Sequence, residues 1–404
     1  MDYQCFDPNE CGFPKPRVPI LPTLSSQSLG RARLGPFIPL GFSANARIFA
    51  RGRYALTEAY RQSGVGEHGA LLAPAYHCRT MLDPAIRLGA KVLLYDLNPD
   101  LSPNLASLTA NLSACHQPVK ALLVTHYFGF SQALEPLTAF CEKHEIDLIE
   151  DCSHALFTKS TPGALARKGA MGQTGRYGVA SPYKFFACED GGLLWCNADE
   201  QLPDDHEYAP TLTQELRGFL HSAQRAFAKN KVLNIDLIDA EIKALTDKLS
   251  LTGRDERKQA TEPSTHYVAA EEHLKSLAWS RWVMRHTHVE RLANRRRENY
   301  QKWTNAVVNL PHCRALFPYL PDDCVPYMFP LKIDHPEIHF LALKQLGVPV
   351  WRWDDMAVST CPVASDYRLK VLHLPCHQEL TEDHMHWMST ALKKVLLELP
   401  ATTQ

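Results

Sequence analysis

The sequence predicts an α/β protein built on a mostly parallel sheet. Its apolar runs, such as "ALLAPAY" (70–76), "KVLLYDL" (91–97) and "IDLIE" (146–150), are nearly continuous rather than alternating. Strands covered on both faces read that way. Each run is separated from the next by a stretch with helical spacing, which is the pattern of repeated β–α units. At 404 residues the chain is too long for one small core, so two lobes are expected.

Element by element, residues 1–40 are rich in Pro, Gly and Ser without periodicity and read as an extended arm packed on the body or on a partner subunit. "ARIFARGRYALTEAYRQSG" from residue 46 reads as a helix ending at Gly64. The strand at 70–76 is followed by a helix in "RTMLDPAIRLG", despite Pro84, and the strand at 91–97 by a helix in "SPNLASLTANLSA". "VKALLVTHYFG" (119–129) gives a strand and "ALEPLTAFCEKHE" a helix, and the run at 146 leads into the loop "DCSHA". "RYGVAS" (176–181) and "GLLWCN" (192–197) add two strands. Residues 41–265 are therefore expected to form a large α/β domain, with 200–280 a polar helical connection or insertion lacking strands. Residues 266–404 are expected to form a smaller α+β domain, beginning near one long helix at 280–307 and continuing through the strand "YMFPLKI".

Charge narrows the function classes. Forty-three basic residues against forty-four acidic ones leave a formal charge of −1, so no strong field points to nucleic acid or an anionic membrane. The cluster "RRRENY" (295–300) reads as a solvated helix face. No apolar run approaches the roughly 20 residues of a membrane span, and "MDYQCFDPNECGFPKPR" lacks the basic start and apolar centre of a signal peptide. Twelve cysteines are scattered without a CxxC pair, which argues against zinc and for reduced thiols, hence a cytoplasmic location and no metal.

In open α/β sheets, ligands gather beyond the carboxyl ends of strands. The residues there are Tyr76 and His77, Asp96, His126 and Tyr127, Glu150 with Asp151 and His154, and Ser181 with Lys184. Singly, each has a plain structural explanation: Asp96 as a strand end, His126 as a satisfied core histidine. As a set they allow one site. Lys184 stands in apolar company, which favours a neutral, nucleophilic amine able to form a Schiff base. The cofactor that uses such a lysine together with an acid at its ring nitrogen is pyridoxal 5'-phosphate. The helix opening at "RGRYAL", with Gly52, offers backbone N–H groups to its phosphate, and Ser181 adds a hydroxyl.

The motifs "GRYAL", "LLAPAYHCRTMLDPAIRLGAKVLLYDL", "THYFG", "IEDCSHA" and "SPYKFFACEDGG", in that order, resemble the DegT-type sugar aminotransferases, as do "RRRENY", "VPYMFPL" and "LPCHQEL" more loosely. The resemblance implies the type I fold of pyridoxal-phosphate-dependent transferases. It also implies that Lys184 bonds to the cofactor and moves protons, that Asp151 keeps the ring nitrogen protonated, and that His154 sits beside the ring. Gly52, Arg53 and Tyr54 take the place of the phosphate-cradling turn, and Ser181 that of a second phosphate contact. Tyr76 or His77 is expected on the ring face, since the usual "TF" pair reads His77–Cys78 here. Gly191–Gly192 let the chain turn tightly beside the lysine.

The implied reaction is transfer of an amino group, from glutamate in the first instance, to a nucleotide-linked keto-sugar in polysaccharide or surface-glycan synthesis, by a homodimer. Two other readings stay open from the residues: dehydration of a sugar by the same cofactor, and a degenerate relative that binds without turnover. Relatives that dehydrate often carry histidine at the lysine position, so Lys184 favours transfer.

Overall fold

The computed structural model describes residues 1–7, 11–30, 46–158, 171–198, 202, 207–227, 233–245 and 255–399. Strand β1 (Asp2–Phe6) is followed by β2 (Arg47–Phe49) and helix α1 (Gly52–Gln62). Three β–α units come next: β3 (Ala70–Pro74) with α2 (Arg79–Arg87), β4 (Val92–Tyr95) with α3 (Leu105–Ala114), and β5 (Val119–Thr125) with α4 (Glu135–His144). Strands β6 (Asp147–Asp151), β7 (Tyr177–Ala180) and β8 (Gly192–Cys196) complete a seven-stranded sheet in the order β2-β8-β7-β6-β5-β3-β4. Pairing is parallel from β4 across to β7 and antiparallel only at β8 and β2. This mostly parallel sheet is the one the continuous apolar runs call for: β3 is buried along its whole length. Two apolar clusters cover its faces, one containing residues of α1 and α2 and the other containing residues of α3 and α4.

The start of the predicted first helix is instead strand β2, because Arg47, Ile48 and Phe49 pair with Leu194, Leu193 and Gly192. Helix α1 begins only at Gly52. Gly192 has to be glycine: a Cβ there would lie 2.1 Å from the Arg51 carbonyl oxygen.

The chain continues through α5 (Leu212–Ala226), α6 (Ile238–Leu245) and β9 (Asp255–Gln259). The strand at β9 corrects the expectation of a strandless 200–280 region. Its sequence, DERKQ, carries no apolar signal, but it pairs residue for residue with β1, which also bonds to the short strand β12 (Met356–Ala357). As the sheet edge, it needs no buried face, and its charges suit an exposed edge.

The predicted long helix at 280–307 is two helices, α7 (Ala278–His286) and α8 (Val289–Val307). Residues 28–30 pair with the break, through Gly30 N–H to the His286 carbonyl at 3.0 Å and His288 N–H to the Ser28 carbonyl at 3.1 Å. That pairing takes Thr287 out of helical geometry, and the His288 side chain caps α8 by accepting from the Arg291 amide. Beyond it, β10 (Cys313–Ala315), β11 (Met328–Ile333) and β13 (Val371–Pro375) form an antiparallel sheet. Helices α9 (Pro336–Gln345) and α11 (Glu382–Glu398) share an apolar cluster with it, and α10 (Pro362–Lys370) leads into β13. Among the described residues no helix is long and apolar enough to cross a membrane, and all twelve cysteines are free thiols.

Candidate active site

The carboxyl ends of β3, β5, β6 and β7 open on one side of the large sheet, and the candidate residues gather there. At the end of β7, Ser181 places its Oγ 3.1 Å from Ser153 Oγ, and the Ser153 amide donates to Asp151 Oδ1 at 2.9 Å. Ser181 also faces the start of α1: a Cβ built on Gly52 would lie 2.1 Å from Ser181 Oγ. Glycine is what lets the two approach. The N-cap residue Arg51 supplies no side-chain cap to this eleven-residue helix; the Tyr54 amide donates to the Arg51 carbonyl at 3.1 Å, and the helix N-terminus points towards Ser181. A hydroxyl, a helix N-terminus and a missing side chain make a cradle of the right chemistry for a phosphate, the group that pyridoxal phosphate carries.

Lys184 closes a short 3-10 turn, Pro182–Lys184, its amide donating to the Ser181 carbonyl at 3.1 Å. Its ammonium and the Asp151 carboxylate both act electrostatically on Cys78. Burial raises the Cys78 thiol, the nearby lysine charge opposes that rise, and the aspartate adds to it. Cys78 takes the place of the second residue of the "TF" pair, and its Sγ lies 3.2 Å from Thr80 Oγ1.

His154 is buried beside the lysine. Its Nδ1 accepts from the Phe128 amide at 3.3 Å, and its ring stacks on Tyr327 with centroids 4.4 Å apart. Burial, reinforced by the Lys184 charge, holds its pKa well below the ordinary histidine value, so the ring is neutral at physiological pH. Phe128 adopts φ 58°, a left-handed conformation that is rare for a bulky residue. The next residue, Gly129, accommodates the chain from the smaller sheet: a Cβ there would meet Pro326 Cα and the Val325 carbonyl oxygen at 2.7 Å. The Tyr327 amide then donates to the Phe128 carbonyl at 2.8 Å, which sets its ring over His154, with Lys184 Nζ 5.4 Å from the ring centre.

Tyr76 lies deeper in the same wall. Its Oη is 3.2 Å from His373 Nε2, and its ring is 4.6 Å from Trp353. Trp353, His373 and Tyr327 were not among the expected site residues. They come from loops and a strand far along the chain, and only the motif "VPYMFPL" hinted at one of them.

Three expectations are corrected. The His77 ring turns to the other side of its loop, with Nδ1 3.1 Å from the Cys78 carbonyl, Nε2 accepting from the Ala357 amide and an edge contact to Tyr3. These contacts hold the His77 ring against Ala357 and Tyr3. The Tyr54 side chain is likewise buried away from the cradle, donating to Glu271 and packing on Tyr267; Arg53, half-buried, remains at the helix start. "RRRENY" is not a solvated face either: Arg296, Asn299 and Tyr300 are fully buried. The plain readings of two others hold. Asp96 supports the turn into α3 through its backbone. His126 pairs with Glu150 at 3.0 Å, while Glu150 also accepts the amides of Thr174 and Gly175, so both are spent on structure.

A largely parallel sheet flanked by helices is the architecture this protein shares with solved pyridoxal-phosphate-dependent aminotransferases. Residues 43–214 match the model of the DegT/DnrJ/EryC1/StrS aminotransferase family, a family of pyridoxal-phosphate enzymes. Among solved structures, the chain is similar to the aminotransferase TlmJ from Streptoalloteichus hindustanus, at 20% identity and a TM-score of 0.61 over 95% of this chain and 100% of that one. It is similar to the PLP-form of Spr1654 from Streptococcus pneumoniae, described as a sugar aminotransferase, at 13% identity and a TM-score of 0.62 over 95% and 100%. A third is PseC from Helicobacter pylori, an aminotransferase of pseudoaminic acid biosynthesis, at 14% identity and a TM-score of 0.57 over 87% and 86%.

Proposed function

We propose that this sugar aminotransferase transfers an amino group from glutamate to a nucleotide-linked keto-sugar in polysaccharide or surface-glycan synthesis, as a cytoplasmic homodimer. The observation that carries the catalytic assignment is the chain of contacts from Asp151 through Ser153 to Ser181, which faces Gly52 and opens the turn that ends at Lys184. Bound there, pyridoxal phosphate supplies an aldehyde for amine exchange and a ring that takes up electrons from the substrate carbon. Lys184 would be the residue that holds the cofactor through its Nζ, and the same amine would carry a proton to and from the substrate. The Asp151 carboxylate, one oxygen of which is fixed by the Ser153 amide, would be the acid that keeps the bound ring nitrogen protonated. Ser181 Oγ and the first turn of α1 receive the phosphate, Arg53 standing beside them. Neutral His154, held in place by Tyr327, lies beside the ring and is free to share a hydrogen bond without adding charge. Tyr76 and Trp353 form an apolar wall that keeps water from the reacting carbon.

Purified protein incubated with pyridoxal phosphate, glutamate and a panel of nucleotide keto-sugars tests this reading. The expected outcome is an amino-sugar product with stoichiometric 2-oxoglutarate. A dehydrated sugar without oxoglutarate, or cofactor binding without exchange, contradicts it.

A further inference from the structure

The one arginine of "RRRENY" that lies fully inside the protein is bonded to the lysine segment itself. Arg296 is completely buried, and its guanidinium donates to backbone carbonyls and a side-chain amide oxygen. Nη2 donates to the Lys184 carbonyl at 2.9 Å and reaches the Phe185 carbonyl at 3.5 Å. Nη1 donates to the Pro326 and Tyr327 carbonyls, each at 3.1 Å, and Nε to Gln378 Oε1 at 2.9 Å. Gln378 in turn donates to the Phe185 carbonyl at 2.8 Å, and the guanidinium lies 4.5 Å over the Phe185 ring. A guanidinium taken from water into such a place is costly to hold, and carbonyl dipoles offset that cost less fully than a carboxylate would. Burial depresses its pKa to about 10, which leaves it charged at neutral pH.

The arrangement has a geometric consequence. One planar fork grips the backbone of Lys184 with one nitrogen and that of Tyr327 with the other. Tyr327 is the ring that stacks on His154 and lies under the lysine ammonium. Two parts of the site that come from opposite ends of the sequence are thereby held at a fixed separation by a single side chain.

We propose that Arg296 is a positioning residue that holds the Lys184 backbone, and with it the reach of Nζ, at bonding distance from the cofactor aldehyde. The inference rests on the reading of Lys184 as the lysine that bonds to the cofactor. Lysine cannot replace Arg296, because a single ammonium cannot span both pairs of carbonyls.

The test compares the affinity of the cofactor-free protein for pyridoxal 5'-phosphate, which bonds to a lysine, with that for pyridoxamine 5'-phosphate, which does not. Arg296→Gln and Arg296→Lys are expected to lower the ratio of the two affinities at least tenfold, mainly by weakening the aldehyde form. A structural role alone would weaken both forms in parallel, and a parallel loss, or an unchanged ratio, overturns the proposal. Should the glutamine variant fail to fold, Arg296→Lys decides on the same criterion, since it keeps the charge and loses only the fork. Lys184→Ala separates the two claims. If its ratio collapses while the Arg296 variants keep theirs, only the positioning role falls; if Lys184→Ala keeps the ratio, the assignment of Lys184 falls and takes the inference with it.

Discussion

At the scale of single residues, the cradle turns on the absence of one methyl group. Gly52→Ala would drive a Cβ to within 2.1 Å of Ser181 Oγ, whereas the Ser181 Cβ lies 3.3 Å away. Gly52→Ala is therefore expected to lower both thermal stability and cofactor affinity. Adding Ser181→Ala should restore the stability, because the clashing oxygen is gone, but not the affinity, because the cradle has lost a donor. Calorimetry and fluorescence titration of the single and double variants check this, and recovery of both quantities would separate the cradle from the phosphate. Asp151→Asn keeps the shape and removes the charge that, on the proposed reading, would hold the ring nitrogen protonated. Its kcat is expected to fall by about a hundredfold or more, with cofactor still bound, as single-turnover kinetics would show. The sequence singles out Lys184 and Asp151 because Asp151 ends one buried strand and Lys184 follows another, each within a motif. The turn of the His77 ring towards Ala357 was not legible, since nothing in a linear reading says which way a loop residue turns. Trp353 and His373 carried no local signal at all, because their meaning arises only when a second sheet is brought against the first.

Elements were legible where burial dictates the pattern. The largely buried strands β3, β5, β6, β7 and β8 stand close to where their apolar runs place them. Reading failed where backbone pairing, rather than side-chain burial, makes the element. Strand β9 exists through β1, strand β2 through β8, and the gap between α7 and α8 through residues 28–30. Each partner is remote in sequence, so no window of local residues could reveal them. The docking of the smaller sheet on the larger one depends in the same way on Gly129, at φ 111° and in contact with the backbone of Val325 and Pro326. Gly129→Ala would impose both a backbone strain and a clash with main-chain atoms. It is expected to cost about 2–3 kcal/mol in urea unfolding, and to lower activity by moving Tyr327 off His154. Unchanged stability would mean that this contact is looser than its geometry indicates.

For the molecule as a whole, buried histidines set the acid limit. Desolvation pushes His77 down to about 4, and His373 and His377 to about 3, with His154 also lowered. Such groups are neutral when folded but take up a proton on unfolding below their ordinary value near 6.5. The folded state thus binds fewer protons in that window, so stability is complete above about pH 6.5 and declines as pH falls towards 4 and 3. Each group contributes a slope of up to about 1.4 kcal/mol per pH unit, and the three with stated values up to about 4 together. Urea midpoints measured from pH 7.5 to 4.5 should fall steeply below 6.5, and a flat profile there would place these rings in contact with water. The account as a whole rests on one bond. Borohydride reduction of the protein loaded with pyridoxal phosphate, followed by digestion and peptide mass spectrometry, tests it most directly. The pyridoxyl mass is expected on Lys184, in the peptide beginning at Tyr177; the label on a different lysine, or on none, would contradict it.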